Sequence, residues 1–281
     1  MTLITPKKPI GMLQWGVVGV AALYLGVILL LPMTGLLSQL LAEGKPPVLS
    51  ALEDPSARFS LGMSLALAVL AALFGAVFGI AGALALVRGK LIGRTLLDAL
   101  VDMPLAISPV MAGLAFLLLY GRGGWLEPVL ALGGLKVKFA LPGIVIATLF
   151  VTLPYVLREV EYVLIERGTS EEEAAACLGA SRWQTFWNVT LPNIRFALGY
   201  GVILTTARAL GEFGAVLVLG GAIAGQTQTA TTFIYAALDE RKEVEAYGMA
   251  ILLAAASLAL LGVQEWLKHK NHAQQDERNI V

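Results

Sequence analysis

The chain has 281 residues, 57% hydrophobic and 14% charged, with a mean hydropathy of +0.77 and no net charge. A soluble globular domain carries about 25% charged residues, so this composition specifies an integral membrane protein and, lacking a basic patch with interleaved aromatics, excludes a nucleic-acid partner. The lone Cys177 excludes an intrachain disulfide and a cysteine metal cluster, and His269 and His272 fall in the polar C-terminal segment, so no histidine base is available within the membrane.

The first apolar run, about residues 12–31, follows Lys7 and Lys8. It is longer than the roughly 7–15-residue core of a cleaved signal and no A-x-A site follows it, so it reads as a first membrane span. Pro32 and Gly35 are candidate kinks, and EGKPPVLSALEDPSAR (43–58) is a polar connector in which Asp54-Pro55 is a helix start. The second span, about 59–87, repeats Gly75, Gly79 and Ala83 every four residues. That is a face for close helix packing, with the lining of a pathway as the alternative. Arg88, Lys90 and Arg94 follow in a short loop.

The third span, about 95–120, carries Asp98 and Asp102 one helical turn apart. Their nearness to those three cations favours a helix-start and ion-pair role over acid–base work or cation binding. Pro104, Pro109 and Gly113 open the backbone where a gate would bend. GRGGWLEPVLALGGLKVK (121–138) is too short to cross and is placed on the outer surface. The fourth span, about 139–157, has Pro142-Gly143 near its start and Pro154 near its end. Arg158, Glu159, Glu161, Glu166 and Arg167 follow it.

SEEEAAACLGASRWQTFWNVTLPNI (170–194) is the long polar interruption of the second half. Ser170 with Glu173, and Ser181 with Gln184, each have capping-box spacing, which predicts two short helices at about 171–178 and 182–189. Gly179 falls where the first must end, and Pro192 is expected to stop the second. Glu171, Glu172 and Glu173 suit the positive end of the first helix, while Ala174, Ala175 and Ala176 give it a slim body able to enter a groove. Trp183, Phe186 and Trp187 share one side of the second and suit the lipid–water boundary. The stretch therefore reads as a rigid capped elbow at the membrane surface.

The fifth span, about 196–221, places Thr205, Thr206, Arg208 and Glu212 at bilayer depth beside Gly211 and Gly214. A buried arginine there costs at least roughly 2.5–3.5 kcal/mol and needs a partner or a purpose. Arg208 and Glu212, four apart, either pair with each other or serve an anion pathway. Thr205, Arg208, Gly211 and Glu212 are the candidate pathway residues. GQTQT (225–229) is a hydroxyl- and amide-rich turn, followed by a short helix up to Asp239 and a sixth span at about 244–266. Lys268, His269, Lys270 and Arg278 belong to a polar, frayed tail.

The fold is thus an all-α polytopic membrane protein. It has six transmembrane helices, with the elbow between the fourth and fifth. The chain is one domain, 1–281, with a core at about 59–267 and a cytosolic tail at 268–281. Orientation follows the distribution of Lys and Arg. With the N-terminus inside, one side holds Lys7, Lys8, Arg88, Lys90, Arg94, Arg158, Arg167, Arg182, Arg195, Lys268, Lys270 and Arg278. The other holds Lys45, Arg58, Arg122, Lys136, Lys138, Arg241 and Lys242. The bias puts both termini and the elbow in the cytosol.

Glu173-Ala174-Ala175, Gly179 and Leu191-Pro192 together resemble the EAA loop of bacterial ABC-importer permeases. The resemblance implies that Glu172, Glu173, Ala174, Ala175, Gly179, Leu191 and Pro192 couple to a cytosolic ATPase. No GxxxxGK[ST] stretch occurs in the chain, so ATP and Mg are expected on that partner and no cofactor here. DMPLAISPVMAG (102–113), FALPGIVIATLFVTLPYVLRE (139–159), ARALGEFGAV (207–216) and IAGQTQT (223–229) are similar to the sulfate/thiosulfate permease family, most of all its W-type subunit. That similarity implies a non-catalytic permease of the bacterial inner membrane. Its partners would be a T-type permease, two copies of the ATPase, an external sulfate-binding protein and membrane lipid. Molybdate and tungstate permeases are the nearest alternative. An ion-coupled secondary anion transporter is a further one, although no internal repeat of the kind such transporters show is visible.

Overall fold

The structure is a computed structural model that describes residues 12–40, 46–89, 92–121, 123–134 and 136–280. The expectations for Lys7, Lys8, Lys45, Lys90 and Arg122 lie outside the described residues. Every regular element among those described is helical.

α1 (Met12–Leu40) runs on past Pro32, so neither Pro32 nor Gly35 ends it. Its 29 residues reach about 43 Å, and its apolar run Trp15–Ile28 is almost wholly exposed. A short α2 (Pro47–Glu53) leads into α3 (Pro55–Arg88), which starts as the sequence predicts. The Asp54 carboxylate accepts from the Ser56 amide at 2.7 Å, and Pro55 takes the first helical position.

The expected third span is instead two helices, α4 (Arg94–Ala106) and α5 (Pro109–Tyr120), bent by 113°. Ile107 and Ser108 between them are extended, as the steric demand of Pro109 on its predecessor requires, whereas Pro104 is carried inside α4. α6 (Glu127–Leu132) precedes α7 (Leu141–Arg167), which extends ten residues past the expected end. Pro154 therefore lies mid-helix, as membrane helices tolerate when neighbours enclose them.

α8 (Ser170–Cys177) and α9 (Arg182–Thr185) form the elbow. A π-helical turn, Phe186–Thr190, joins α9 to α10 (Leu191–Leu210). After a break at 211–213 come α11 (Gly214–Gly220), α12 (Ala230–Asp239) and α13 (Glu243–Ile280). The fifth span is thus also broken, by 53°. The tail is helical to Ile280 rather than frayed. Its Ala, Gln, Glu and Lys are good helix formers, and Lys268 pairs with Glu265 three residues back.

α3, α7 and α13 (Glu243–Lys270) are each long and apolar enough to cross a membrane. Counting each broken pair, α4 with α5 and α10 with α11, as one span gives up to five among the described residues, and α1 adds the shorter apolar run Trp15–Ile28. The centre is the triad α3, α7 and α10. Along α3, Leu67 meets Ile144, Ala147 and Val151 of α7, while Ala83 and Leu86 meet Val156, Val160 and Leu164, so α3 and α7 run parallel. α10 returns antiparallel, with Ile194 beside Leu164 and Ala209 beside Ala68 and Ala71. The Gly75–Gly79–Ala83 face is buried in this triad and packs on Val156 and Leu157, which is the packing reading of that repeat.

α13 is parallel to α3. Met249 packs near Ala57, Ala256 near Ala68 and Ala71, and Leu267 approaches Gly199. The elbow therefore lies at the end of the bundle where α3, α7 and α13 finish.

The GQTQT turn closes the opposite end. Gly225 and Gln226 are exposed, while Thr227, Gln228 and Thr229 form a buried polar staple. Ser60 donates to the Gln228 side chain at 3.1 Å, the Ala230 amide donates to Ser64 at 2.8 Å, and Thr227 donates to the Gly220 carbonyl at 2.7 Å. Each bond satisfies a group that would otherwise be stranded away from water.

Candidate functional site

The elbow is built from its caps. Gly179 sits at φ +85°, and its amide donates to the Ala176 carbonyl at 3.0 Å while that of Ala180 reaches Ala175 at 3.0 Å. This pair of reversed bonds needs a left-handed residue, which glycine supplies without strain. The second capping box forms as predicted, with Ser181 accepting from the Gln184 amide and the Gln184 side chain accepting from the Ser181 amide. The first does not. The cap residue is Thr169, Ser170 is already helical, and Thr169 donates its hydroxyl to Glu173 at 2.6 Å.

Nor does Pro192 stop the second helix. The backbone stays helical from Arg182 to Leu210, with Pro192 in the first turn of α10. A proline lacks the N–H and crowds the carbonyl one turn back. The wider π turn, closed by the Leu191 amide on Phe186, precedes it and offers the room.

The elbow has two sides. Outward, Leu178 and Trp183 are 89% and 70% exposed, and the rings of Trp183 and Phe186 stack while Trp187 meets both edge-on. Ala174 and Ala176 are exposed beside Glu173. Inward, the acidic residues are engaged. Arg88, the last residue of α3, donates through Nε to Glu172 at 3.0 Å and through Nη2 to the carbonyls of Leu164 (3.2 Å) and Gly168 (2.5 Å). The other oxygen of Glu172 accepts from Thr190 at 3.0 Å, and Glu171 accepts from Asn193. Sequence reasoning took Arg88 as a loop cation. Its partner lies 84 residues away, so no local pattern marks the pair.

Three of the four pathway candidates, Arg208, Gly211 and Glu212, collect around the break after α10. Glu212 is fully buried, and one of its oxygens accepts from the Ala215 amide at 3.0 Å, capping α11. The other lies 2.7 Å from Nη1 of Arg208, a charge contact rather than an aligned hydrogen bond. Gly211 ends α10 and is exposed, and Thr231 donates to the Glu212 carbonyl at 2.6 Å. Arg208 keeps about a quarter of its side chain open. Thr205 stands apart from that opening. It is sealed against Gly75, and its hydroxyl has no partner among the described residues.

A second charged knot was expected at Asp98 and Asp102, with Arg88, Lys90 and Arg94 as the cations. The ion-pair role is present but the cation is Arg158 of α7, at 2.6 Å from Asp98 and 2.8 Å from Asp102, with Glu161 also on its Nη1. Neither aspartate lies in the first turn of α4, so neither is a helix-start residue. These bonds and Val101 are what hold α4 to α7. Replacing Arg158 with Met is expected to loosen α4 by about 1–2 kcal/mol, read as roughly tenfold faster amide exchange over 94–106 with α3 unchanged.

Residues 71–271 match the family described as "Binding-protein-dependent transport system inner membrane component". The chain is 42% identical to a Synechococcus elongatus protein named "Sulfate transport system permease protein CysW", over 95% of this chain and 94% of the relative. It is 40% identical to the Escherichia coli K12 protein of that name (97% and 95%) and 39% identical to the E. coli K12 "Sulfate transport system permease protein CysT" (86% and 88%). Among solved structures, a chain of a bacterial alginate ABC transporter shares the fold with a TM-score of 0.74 at 19% identity, covering 92% of this chain and 94% of that one.

Proposed function

Because the chain belongs to the family of inner membrane components of binding-protein-dependent transport systems, we propose that it is the membrane subunit of an ATP-driven importer that moves sulfate or thiosulfate inward by alternating access. The observation that carries this reading is the elbow. A capped, stiff projection with an exposed alanine, leucine and tryptophan side lies where the core helices α3 and α7 end. Such a projection transmits motion only if something seizes it. The chain has no phosphate-binding loop of its own, so the motor is a separate ATPase pair on the cytosolic side. Glu173, Ala174, Ala175 and Gly179 form the docking side, and Leu191 and Pro192 join it to α10.

Closure of the ATPase pair would tilt the helices behind the elbow as rigid bodies. Arg208, beside Gly211 and Glu212, is the anion-facing group of the pathway. A second permease of the T type completes the channel, and an external binding protein delivers the substrate. This chain holds no cofactor and hydrolyses nothing itself. Both termini lie in the cytosol, with the elbow.

The assembled complex in liposomes should take up labelled sulfate only with ATP and the ATPase subunit inside, and an imposed ion gradient should not substitute for them. Uptake driven by a gradient alone would overturn the reading, and stronger competition by molybdate than by thiosulfate would redirect the substrate. Gly179→Pro cannot adopt φ +85°, and Glu173→Lys reverses a charge in the first turn of α8. Each is expected to leave the protein inserted but to lower uptake per ATP at least about tenfold.

A further inference from the structure

α7 and α10 enter the elbow through the peptide chain, but α3 does not. Its chain departs at Arg88 towards α4. Yet α3 packs on both, through a face of glycine and alanine that allows close approach and seats Val156 of α7. At the elbow end, what ties α3 to its neighbours is directional. Three bonds from the Arg88 guanidinium reach the end of α7, the residue after it, and Glu172 in α8. Glu172 then ties in the π turn through Thr190. Arg88 and Glu172 are each only about a fifth exposed, so this fork is better shielded than a surface pair.

We infer that the Arg88–Glu172 pair is the pin through which the elbow moves α3, and that Glu172 is a positioning residue facing the bundle rather than a contact of the ATPase. The inference rests on the coupling reading above and divides the acidic triplet by task. Glu173 stays on the exposed side, Glu171 holds Asn193, and Glu172 carries load to a helix outside the elbow. Without the pin, ATPase closure would still swing α7 and α10, and α3 would lag.

The test measures uptake per ATP hydrolysed by the complete transporter in liposomes. Arg88→Met is expected to lower that ratio about tenfold, with the complex assembled and ATP hydrolysis retained. Glu172→Gln, which keeps an acceptor but loses the charge, is expected to fall between Arg88→Met and the parent. A second pair of measurements uses Arg88→Cys/Glu172→Cys, made in a Cys177→Ser parent, before and after a short bismaleimide tether. The tether should restore the ratio that the untethered pair has lost, a recovery that general destabilisation would not give.

An unchanged ratio in Arg88→Met overturns the proposal. If Arg88→Met fails to assemble, equal ratios with and without the tether overturn it. Gly179→Pro run alongside separates the two ideas. If it uncouples while Arg88→Met does not, the pin alone is wrong. If it too remains fully coupled, the elbow reading fails.

Discussion

Arg208→Ala is expected to destabilise the folded bundle by about 3–5 kcal/mol, the cost of leaving a buried carboxylate without its cation. Glu212 is only 2% exposed, and its cap on α11 uses one oxygen only, so the second depends on the guanidinium. Unfolding of the purified complex in detergent measures this. Arg208→Ala/Glu212→Gln removes both charges while keeping an acceptor for the Ala215 amide, and should recover most of the loss. A single Arg208→Ala that melts with the parent would show that the pair carries no stability. The double variant then addresses transport. If it is stable and still fails to move sulfate, Arg208 is needed by the anion itself, and if it transports normally, the pair is structural only.

Gly201→Leu should be nearly as damaging, at about 3 kcal/mol from overpacking. A β-carbon at Gly201 would lie 2.7 Å from Cα of Val156, an atom of the main chain that cannot turn aside. Val156 is approached from the other direction by Gly79, where a β-carbon would lie 2.8 Å from its side chain. The fully buried valine thus occupies a slot between glycine faces of α3 and α10. Folded yield and thermal midpoint of the purified protein are the readouts. Gly262→Leu, at a glycine with nothing within 4 Å, is the control and should shift stability by less than about 0.5 kcal/mol. Equal effects at the two positions would remove the slot from the account.

What could be read from the sequence was local. Gly179, Ser181 with Gln184, Asp54-Pro55 and the Gly75–Gly79–Ala83 repeat each act through neighbours within a turn or along one helix face, and each appears in the structure as expected. What could not be read were choices between distant groups. Asp98 and Asp102 had three cations close in sequence and took Arg158, which stands across the α4–α7 contact. Arg88 was left for Glu172. The polar turn before α12 gave no sign that Ser60 and Ser64 would receive it, because serines on an apolar helix look the same whether they face lipid, water or a partner. The errors at Ser170 and Pro192 have another source. Thr169 and Ser170 are chemically near-equivalent caps one residue apart, and a proline rule written for α-helices does not foresee a π turn ahead of it.

That π turn has a geometric corollary. A five-residue loop of backbone where a regular helix would use four inserts one extra step, and one step of an α-helix is about 100° of azimuth. The direction in which Trp183 and its neighbours point is therefore phased against the whole of α10 by a single residue, Phe186 to Thr190 acting as the index. Shortening that segment by one position would leave composition, hydropathy and length of the crossing almost untouched, yet swing the elbow's aromatic side by more than a quarter of a revolution about the helix axis. Between the elbow and the long helix behind it, clocking is set by residue count.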